Sequence, residues 1–208
     1  MPELVIPGPA QRAVLIGDTG SGKTFLGERM AAYFENAQYL DLKREFDPQV
    51  PYRKVTDLRQ AWRVQGHVLV QPSRAQRHRE WYDWYLRQII DRRKNLLVFV
   101  DEVYMVGGMH SQSYPAALSE LAAVGRSKKI GLWCGIQRPK FAPTMIFAQA
   151  EHWYIFPLSP TDLDVLRGWV PDEALEAVAG LAYDYSFVHV QKVKGGRKVV
   201  TVYGPLAA

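Results

Sequence analysis

The sequence is poor in cysteine, with one, Cys134, among 208 residues. A lone thiol cannot form an internal disulfide, and its position inside the apolar run 131–136 indicates a small core residue in a reducing cytoplasm. Long apolar runs are also missing, since none approaches the ~20 residues that a membrane helix needs. Residues 1–4 lack the basic and then apolar build of a signal peptide. We therefore expect neither a disulfide-stapled secreted fold nor a transmembrane segment.

Acidic residues are too few to balance the basic ones. Lys and Arg total 26 against 21 Asp and Glu, which leaves a formal net charge of +5. This excess permits a polyanionic partner without requiring one. The length suits one α/β domain with a proper core and is short for two. We predict a single domain over residues 1–208, with a core of about 12–157 and with helices and a β-hairpin over 158–208.

A complete G-x-x-x-x-G-K-[ST] phosphate loop occupies residues 17–24. The motif consists of Gly17, Asp18, Thr19, Gly20, Ser21, Gly22, Lys23 and Thr24. It follows the apolar run 13–16 and precedes an amphipathic stretch, which is the strand–loop–helix setting that a nucleotide site requires. The glycines let backbone N–H groups turn toward a phosphate, Lys23 would reach the β- and γ-phosphates, and the Thr24 hydroxyl would ligate Mg²⁺. The pattern predicts binding of a nucleoside triphosphate, ATP, with Mg²⁺.

An acidic pair follows the apolar run 96–100, which has the continuous hydrophobicity of a strand buried on both faces of a parallel sheet. Asp101 and Glu102 would lie at the carboxyl end of that strand, where α/β sheets bind ligands. We predict that Asp101 holds the Mg²⁺ shell and that Glu102 orients or deprotonates an attacking water. Such a pair can also be an acidic helix cap, but behind a phosphate loop it favours hydrolysis.

Strand and helix patterns alternate along the chain, as expected for a mostly parallel sheet. The prolines of segment 47–51 predict a loop. A short helix is expected over 55–63, with Thr56 as its N-cap. Near the carboxyl terminus, Gly195-Gly196 predicts a two-residue hairpin turn.

A third pattern joins the phosphate loop and the acidic pair. It is Gly125-Arg126-Ser127-Lys128-Lys129-Ile130-Gly131, which leads into Ile136-Gln137-Arg138-Pro139. Together these features resemble the FtsK–HerA superfamily of DNA-pumping ATPases, whose members carry a Gly-Arg-x-x-x-Ile/Val-Gly turn and then a strand ending in Thr-Gln-Arg-Pro. The Asp-Leu-Lys of segment 41–43 is similar to the end of the second strand in that superfamily. Among its members the sequence most resembles the genome-packaging ATPases of icosahedral viruses with an internal membrane.

The resemblance implies a three-layer α/β sandwich of the RecA-like P-loop NTPase (ASCE) type. The strand ending at Gln137 should lie between the phosphate-loop strand and the strand ending at Asp101. The resemblance also implies that Gln137 contacts the γ-phosphate or the attacking water, and that Arg126 acts as an arginine finger on the ATP of a neighbouring subunit. The alternative for Arg126 is a cation that complements the end of its helix. Rival fingers are Arg92, Arg93 and Arg138.

A finger shared between subunits implies a ring, and the resemblance implies a homo-hexamer with double-stranded DNA in its pore. It further implies a capsid vertex or membrane-associated portal proteins as partners, and work in the host cytoplasm, docked at a virion vertex. Candidate DNA contacts are the loop 107–113 and the cations of the hairpin tip, Lys192, Lys194, Arg197 and Lys198. For the hairpin the alternative is an edge strand protected by charge.

These inferences lead to the hypothesis of an ATPase that translocates double-stranded DNA and packages a viral genome into a preformed capsid. A cellular or plasmid DNA pump or a phage-assembly ATPase of the same superfamily is the nearest alternative, because the motor core is shared. A small-molecule P-loop kinase and a nucleotide-dependent switch or scaffold are further alternatives. Glu102 argues against both of these, since neither needs a carboxylate that activates water.

Overall fold

The computed structural model describes residues 2–107 and 114–206. Its strands are β1 (Arg12–Ile16), β2 (Ala37–Leu40), β3 (Tyr52–Val55), β4 (His67–Val70), β5 (Leu96–Val100), β6 (Ile130–Ile136), β7 (His152–Ile155), β8 (Phe187–Lys192) and β9 (Lys198–Tyr203). Over the described residues they form one sheet in the order β3-β4-β2-β5-β6-β1-β7-β8-β9. Strands β1 to β7 pair in parallel, whereas β8 and β9 pair antiparallel as a carboxyl-terminal hairpin. The predicted mostly parallel sheet with a terminal hairpin is confirmed.

Helices cover both faces of this sheet. They are α1 (Lys23–Ala31), α2 (Leu58–Ala61), α3 (Arg79–Arg92), α4 (Ala116–Val124), α5 (Thr144–Gln149), α6 (Pro160–Asp164) and α7 (Asp172–Ala179). Successive residues of β1 point to opposite faces, so Leu15 packs in one apolar cluster with Leu26 of α1. Ile16 belongs to the other cluster, with Ile89 of α3 and Leu121 of α4. Two apolar clusters separated by one sheet make the three-layer sandwich that the resemblance implied. Within the described part of the chain, no helix combines the length and apolar character needed to cross a membrane.

Strand β6 lies between β1 and β5. Val14 of β1 is in register with Cys134, and Phe99 of β5 is in register with Trp133. Each of these side chains is at most 1% exposed, and Cys134 is a free, buried thiol. The predicted strand order around the phosphate loop is therefore confirmed, and it brings the carboxyl ends of β1, β5 and β6 to one edge of the sheet.

The structure differs from the sequence prediction between residues 51 and 63. Tyr52–Val55 form the edge strand β3, and the following helix is only Leu58–Ala61. Its N-cap is Asp57 rather than Thr56, because the Asp57 carboxylate accepts the Arg59 N–H at 2.9 Å. Among the strands of residues 2–107 and 114–206, β3 pairs with β4 alone, and most of its side chains are exposed. An exposed edge strand of this kind has no buried face, so its sequence carries no alternating pattern.

The hairpin turn also differs from the prediction. The turn is closed by Gly196 N donating to Val193 O at 3.1 Å, which makes Lys194 and Gly195 its central residues. Val193 N then donates to Arg197 O at 2.8 Å. The two-residue turn predicted at Gly195-Gly196 is therefore shifted by one residue, and Gly196 becomes an extra residue on the β9 side.

Two histidines are buried in the hairpin half of the sheet. His152 of β7 and His189 of β8 are each 1% exposed, with His152 Nδ1 and His189 Nε2 3.0 Å apart. Burial lowers the pKa of His152 to about 4 and that of His189 to about 3. Both side chains are accordingly neutral in the folded protein at physiological pH.

Candidate nucleotide site

The phosphate loop 17–24 connects β1 to α1 at the carboxyl edge of the sheet. Gly22 is the N-cap of α1 with a φ of 101°, a left-handed conformation that glycine adopts without steric cost. The free N–H groups and the positive dipole end of α1 therefore face the loop. Gly17 N donates to Ile136 O at 3.1 Å, which ties the loop to the end of β6. This arrangement suits a bound phosphate chain.

Lys23 folds back over the loop. Its side chain is largely buried, and its Nζ donates to the Asp18 backbone oxygen at 2.9 Å. Burial lowers the pKa of the Lys23 ammonium, and the negative charges of Glu102 and Asp101 oppose that effect. The ammonium is thus held inside the loop, where a bound phosphate would meet it.

The acidic pair follows β5 at the same edge. Asp101 and Glu102 are each 2% exposed. Glu102 has a φ of 50° and a ψ of 68°, a conformation that costs a non-glycine residue about 1–3 kcal/mol and marks a site whose surroundings hold it in place. Its Oε2 accepts the Gln137 N–H at 3.3 Å. The carboxylate is therefore fixed between the ends of β5 and β6.

Lys43 completes this arrangement and was assigned no role from the sequence. Its Nζ donates to Glu102 Oε1 at 2.8 Å and to Gln137 Oε1 at 3.3 Å. Gln137 Nε2 in turn donates to Thr19 Oγ1 at 2.5 Å. Burial lowers the pKa of Lys43, but the hydrogen bond and charge of Glu102 outweigh it, so the pKa is raised. One polar chain thus runs from the end of β2 through Glu102 and Gln137 to the phosphate loop.

The space for the acidic pair depends on Gly135 of β6. A Cβ at this position would lie 2.9 Å from Asp101 Oδ1 and 3.4 Å from Glu102 N. The contact with Asp101 Oδ1 is shorter than any a real Cβ makes, so a larger residue would displace the Asp101 carboxylate, whereas the distance to Glu102 N is an ordinary contact. Glycine at this position therefore leaves the space that the Asp101 carboxylate occupies.

The oxygens at this edge fit Mg²⁺. Asp101 Oδ2 is buried and has no hydrogen-bond partner among the described residues. Burial raises the pKa of Asp101 to about 7, and the neighbouring charge of Glu102 adds to the rise. A cation would relieve both conditions, and Thr24 supplies a hydroxyl from the first turn of α1. No group of three or more His, Cys, Asp or Glu in the described ranges can hold a metal by itself, and Mg²⁺ needs only one or two such ligands beside phosphates.

Another buried carboxylate, Glu28, lies on α1. It is 5% exposed and accepts the Asp47 N–H through Oε1 at 2.5 Å. Burial raises the pKa of Glu28, the hydrogen bond from the Asp47 N–H opposes this rise, and the charges of Asp47, Asp41 and Asp101 add to it, so that the pKa is about 7. This group was not anticipated, because the loop 41–51 that buries it has no regular pattern in the sequence.

Arg126 lies far from these residues. The 3-10 turn Gly125–Lys128 precedes β6, so it is at the amino edge of the sheet, opposite to the phosphate loop. The Arg126 side chain is 65% exposed, and its Nη2 donates to Glu151 Oε1 at 2.5 Å. This placement rules out an action of Arg126 on the ATP of its own subunit.

The rival arginines are placed differently. Arg93 donates to the backbone oxygens of Trp62 and Val64, so its guanidinium is engaged within the subunit. Arg92 lies beside it, with its guanidinium 5.5 Å from the centroid of the Trp62 ring. Arg138 follows β6 at the carboxyl edge, with Nη1 3.4 Å from Asp162 Oδ2.

The cations of the hairpin tip also lie at the amino edge, because β8 runs antiparallel to β7. Lys198 Nζ donates to the Trp169 backbone oxygen and lies 5.4 Å from the centroid of the Trp153 ring. It is therefore directed inward rather than toward a partner. The exposed cations of the tip are Lys192, Lys194 and Arg197. The other predicted DNA contact, the loop 107–113, lies outside the described residues beyond Gly107.

The fold and the nucleotide site together define the P-loop NTPase class. Solved structures similar to this chain include the genome packaging NTPase B204 from Sulfolobus turreted icosahedral virus 2 in complex with sulfate. That structure has a TM-score of 0.78 and 19% identity, covering 97% of this chain and 99% of B204. B204 in complex with ATP-gammaS gives a TM-score of 0.77 and 19% identity over 96% of this chain and 99% of that chain. VirB4 of Thermoanaerobacter pseudethanolicus gives 0.66 and 10% identity over 95% of this chain and 89% of that chain.

At these identities the likeness establishes the fold. It confirms the P-loop ATPase architecture that the resemblance to FtsK–HerA proteins implied. No model of a known protein family matches the chain, and a search of curated protein sequences also finds no match.

Proposed function

We propose that this chain is an ATP-driven translocase of double-stranded DNA that packages a viral genome into a preformed capsid. The observation that carries the proposal is the placement of Glu102 and Gln137 beside the phosphate loop, in a fold shared along nearly its whole length with a genome packaging NTPase. We place it in the FtsK–HerA superfamily, as one ATPase domain over residues 1–208. It works in the host cytoplasm, docked at a virion vertex through the capsid or membrane-associated portal proteins.

The chemistry proposed is hydrolysis of ATP in this site. Lys23 neutralises the β- and γ-phosphates. Thr24 and Asp101 would hold Mg²⁺, which would supply further positive charge beside the phosphate oxygens. Glu102 orients the attacking water and takes its proton. Gln137 contacts the γ-phosphate and loses that contact on hydrolysis, which signals the nucleotide state.

In the structure, the Glu102 carboxylate is not free to orient and deprotonate a water. Its Oε1 is paired with Lys43 Nζ at 2.8 Å, and the same ammonium also contacts Gln137. The Oε1 oxygen engaged in this way is occupied by Lys43 and is not open to an attacking water. We assign Lys43 the role of a restraint that is released when the assembled ring engages DNA.

Arg126 is proposed as the finger that completes the site of a neighbouring subunit in a ring, a homo-hexamer. Its exposure at the edge opposite to its own phosphate loop suits a head-to-tail interface. Arginine fingers contribute roughly 10³–10⁵ in turnover in other P-loop enzymes. Arg126→Ala should therefore abolish ATP hydrolysis and leave ATP binding intact. Equal loss of binding would remove Arg126 from this role. Glu151→Gln, which removes the charge of the intrasubunit partner and keeps Arg126, is the matched control.

DNA contact requires exposed cations, and two surfaces that each carry three of them are the candidates. One is the hairpin tip with Lys192, Lys194 and Arg197, and the other runs from the segment after β4 into the start of α3, with Arg74, Arg77 and Arg79. Each phosphate contact contributes about 0.9 to the slope of log affinity against log salt concentration. Replacing either trio with glutamine should lower that slope by up to ~3 if the trio binds the backbone. Unchanged slopes in both variants would contradict direct DNA binding by these surfaces.

The decisive experiment measures ATP hydrolysis with and without linear double-stranded DNA, with Lys23→Ala as the blank. We expect turnover that DNA stimulates and that rises steeply with protein concentration, because each site needs a neighbour. Glu102→Gln should bind ATP without hydrolysing it. Turnover that responds to neither DNA nor protein concentration would contradict a self-assembling DNA motor.

A plasmid or cellular DNA pump of the same superfamily is the second candidate. It is favoured by the likeness to the pCW3 conjugation coupling protein TcpA, which gives a TM-score of 0.55 and 15% identity over 92% of this chain and 60% of that chain. Specific binding of the ring to purified capsid vertices would favour packaging over this candidate. Transfer of the γ-phosphate to a nucleoside would instead identify a small-molecule kinase.

A further inference from the structure

The phosphate loop has two unlike sides. Strand β1 pairs with β6 on one side and with β7 on the other. Glu102 and Gln137 lie on the β6 side, so a γ-phosphate that they act on points toward β6. The nucleoside of the same ligand must then leave the loop toward β7 and β8. This reasoning rests on the proposed function, because it requires a nucleoside triphosphate in the loop.

Two tyrosines between α7 and β8 border the β7 side of the loop. The Tyr183 hydroxyl donates to Asp18 Oδ2 at 3.3 Å. Tyr185 lies against Gly22, since a Cβ added at Gly22 would be 3.2 Å from Tyr185 Cδ1. Both rings are nevertheless open to solvent, Tyr183 with 73% and Tyr185 with 54% of its surface exposed. Two large exposed rings thus stand beside the loop on the side where the nucleoside must lie.

The backbone holds Tyr185 in an unusual conformation. Its φ is 70°, which is uncommon for a residue with a large side chain and is maintained only by the surroundings. Asp184 Oδ1 accepts the Ser186 N–H at 3.1 Å and braces the turn on one side. The ring is therefore presented to the phosphate loop by a constrained segment rather than by a free loop.

The surroundings of Tyr185 are apolar. Phe156 Cε1 and Leu206 Cδ1 lie 3.3 Å and 3.7 Å from the same hypothetical Cβ of Gly22. Leu206 also lines an adjoining cleft of about 600 Å³, together with Leu26, Phe187 and Tyr203. A cleft of this size lies within the range of small-molecule pockets, which are mostly apolar with a few polar groups.

We propose that Tyr183 and Tyr185 form the surface on which the base of the nucleoside triphosphate stacks. Aromatic rings bind the flat face of a base without reading its edge, so this surface favours purines through their larger area rather than through specific hydrogen bonds. The Tyr183 hydroxyl, anchored on Asp18, keeps its ring beside the phosphate loop. The two tyrosines thus act in binding, and the chemistry at the γ-phosphate stays on the other side of β1.

The test compares ATP with inorganic tripolyphosphate, which has the phosphates but no base. Affinities of the full chain for both would be measured with Mg²⁺ by isothermal titration calorimetry. Tyr183→Leu combined with Tyr185→Asn should weaken ATP binding by about tenfold or more and leave tripolyphosphate binding unchanged. Asparagine is chosen at 185 because it tolerates a positive φ, so the ring is removed without added strain. Tyr183→Phe, which keeps the ring, should stay within a few-fold of the wild type for ATP.

Tyr52→Leu on the edge strand β3 is the matched control, since it removes a ring that is 40% exposed at the other end of the sheet. Equal weakening of ATP and tripolyphosphate in the double variant, or no weakening of either, would overturn the stacking surface. A wild-type chain that binds both ligands with the same affinity would overturn it too, while leaving the phosphate site intact. A wild-type chain that binds neither ligand would instead contradict the proposed function itself.

Discussion

Replacing Glu28 with glutamine should stabilise the protein at pH 8 and have little effect at pH 4.5. The ordinary pKa of this carboxyl is 4.5 and burial raises it to about 7 in the folded chain. The unfolded chain therefore releases its proton between pH 4.5 and pH 7 while the folded chain retains it, so stability is lost as the pH rises through this window. The difference between the two pKa values corresponds to about 3 kcal/mol at pH 8. Glutamine has no proton to lose and still offers Oε1 to the Asp47 N–H.

The assay is urea unfolding of both proteins at pH 8 and pH 4.5, without nucleotide. For a chain of this size, ~3 kcal/mol corresponds to a rise in Tm of roughly 6–12 °C, so thermal unfolding provides a second measurement. Glu35→Gln, at an exposed position just after α1, is the control and should change neither midpoint. An equal effect of Glu28→Gln at both pH values, or a loss of stability at pH 8, would refute the reasoning.

Three further outcomes are expected. Lys43→Gln should raise DNA-independent ATP turnover about tenfold and reduce the stimulation by DNA. The reason is that a charge-assisted hydrogen bond worth about 1.5–3 kcal/mol no longer restrains the Glu102 carboxylate. A lower turnover without DNA would contradict a restraint by Lys43. Gly135→Ala should lower the kcat of ATP hydrolysis at least tenfold while ATP binding without Mg²⁺ is retained, because the alanine Cβ would displace the Asp101 carboxylate. An unchanged kcat in steady-state assays would argue against this displacement. The contribution of His152 and His189 should fall as the pH drops from about 6.5 to 4, opposite in sign to that of Glu28, because the two imidazoles gain protons only on unfolding. His189→Phe should therefore make the protein more stable relative to the wild type at pH 4.5 than at pH 7.5 in urea unfolding; the same stability difference at both pH values would show that the pair does not contribute in this way.

The parts of the nucleotide site that could be predicted are those formed by short stretches of contiguous residues. The phosphate loop 17–24 and the pair Asp101-Glu102 each carry their chemistry in a short motif at the end of an apolar run, so strand polarity places them together. The order of β1, β6 and β5 followed from the resemblance. These elements need no knowledge of distant contacts.

The parts that could not be predicted depend on contacts between distant segments. Lys43 meets Glu102 only because β2 is hydrogen-bonded to β5, although 59 residues separate the two. Strand β3 has no buried face to leave a pattern. Tyr183 reaches the loop across 165 residues, from a segment whose composition indicates only a turn. In each case local sequence is compatible with several placements, and tertiary packing selects one.

Strand β6 has a mechanical consequence in the proposed ring. One end follows the turn that carries Arg126, and the other leads directly into Gln137, so its seven residues connect two functions over roughly 23 Å. The strand is hydrogen-bonded along both edges, to β1 and to β5, and is therefore rigid rather than flexible. Loss of the γ-phosphate contact at Gln137 of one subunit would shift β6 and thereby move Arg126, which is proposed to act in the site of the next subunit. ATP hydrolysis would then proceed from one subunit to the next around the ring, in an order set by the direction of a single β-strand.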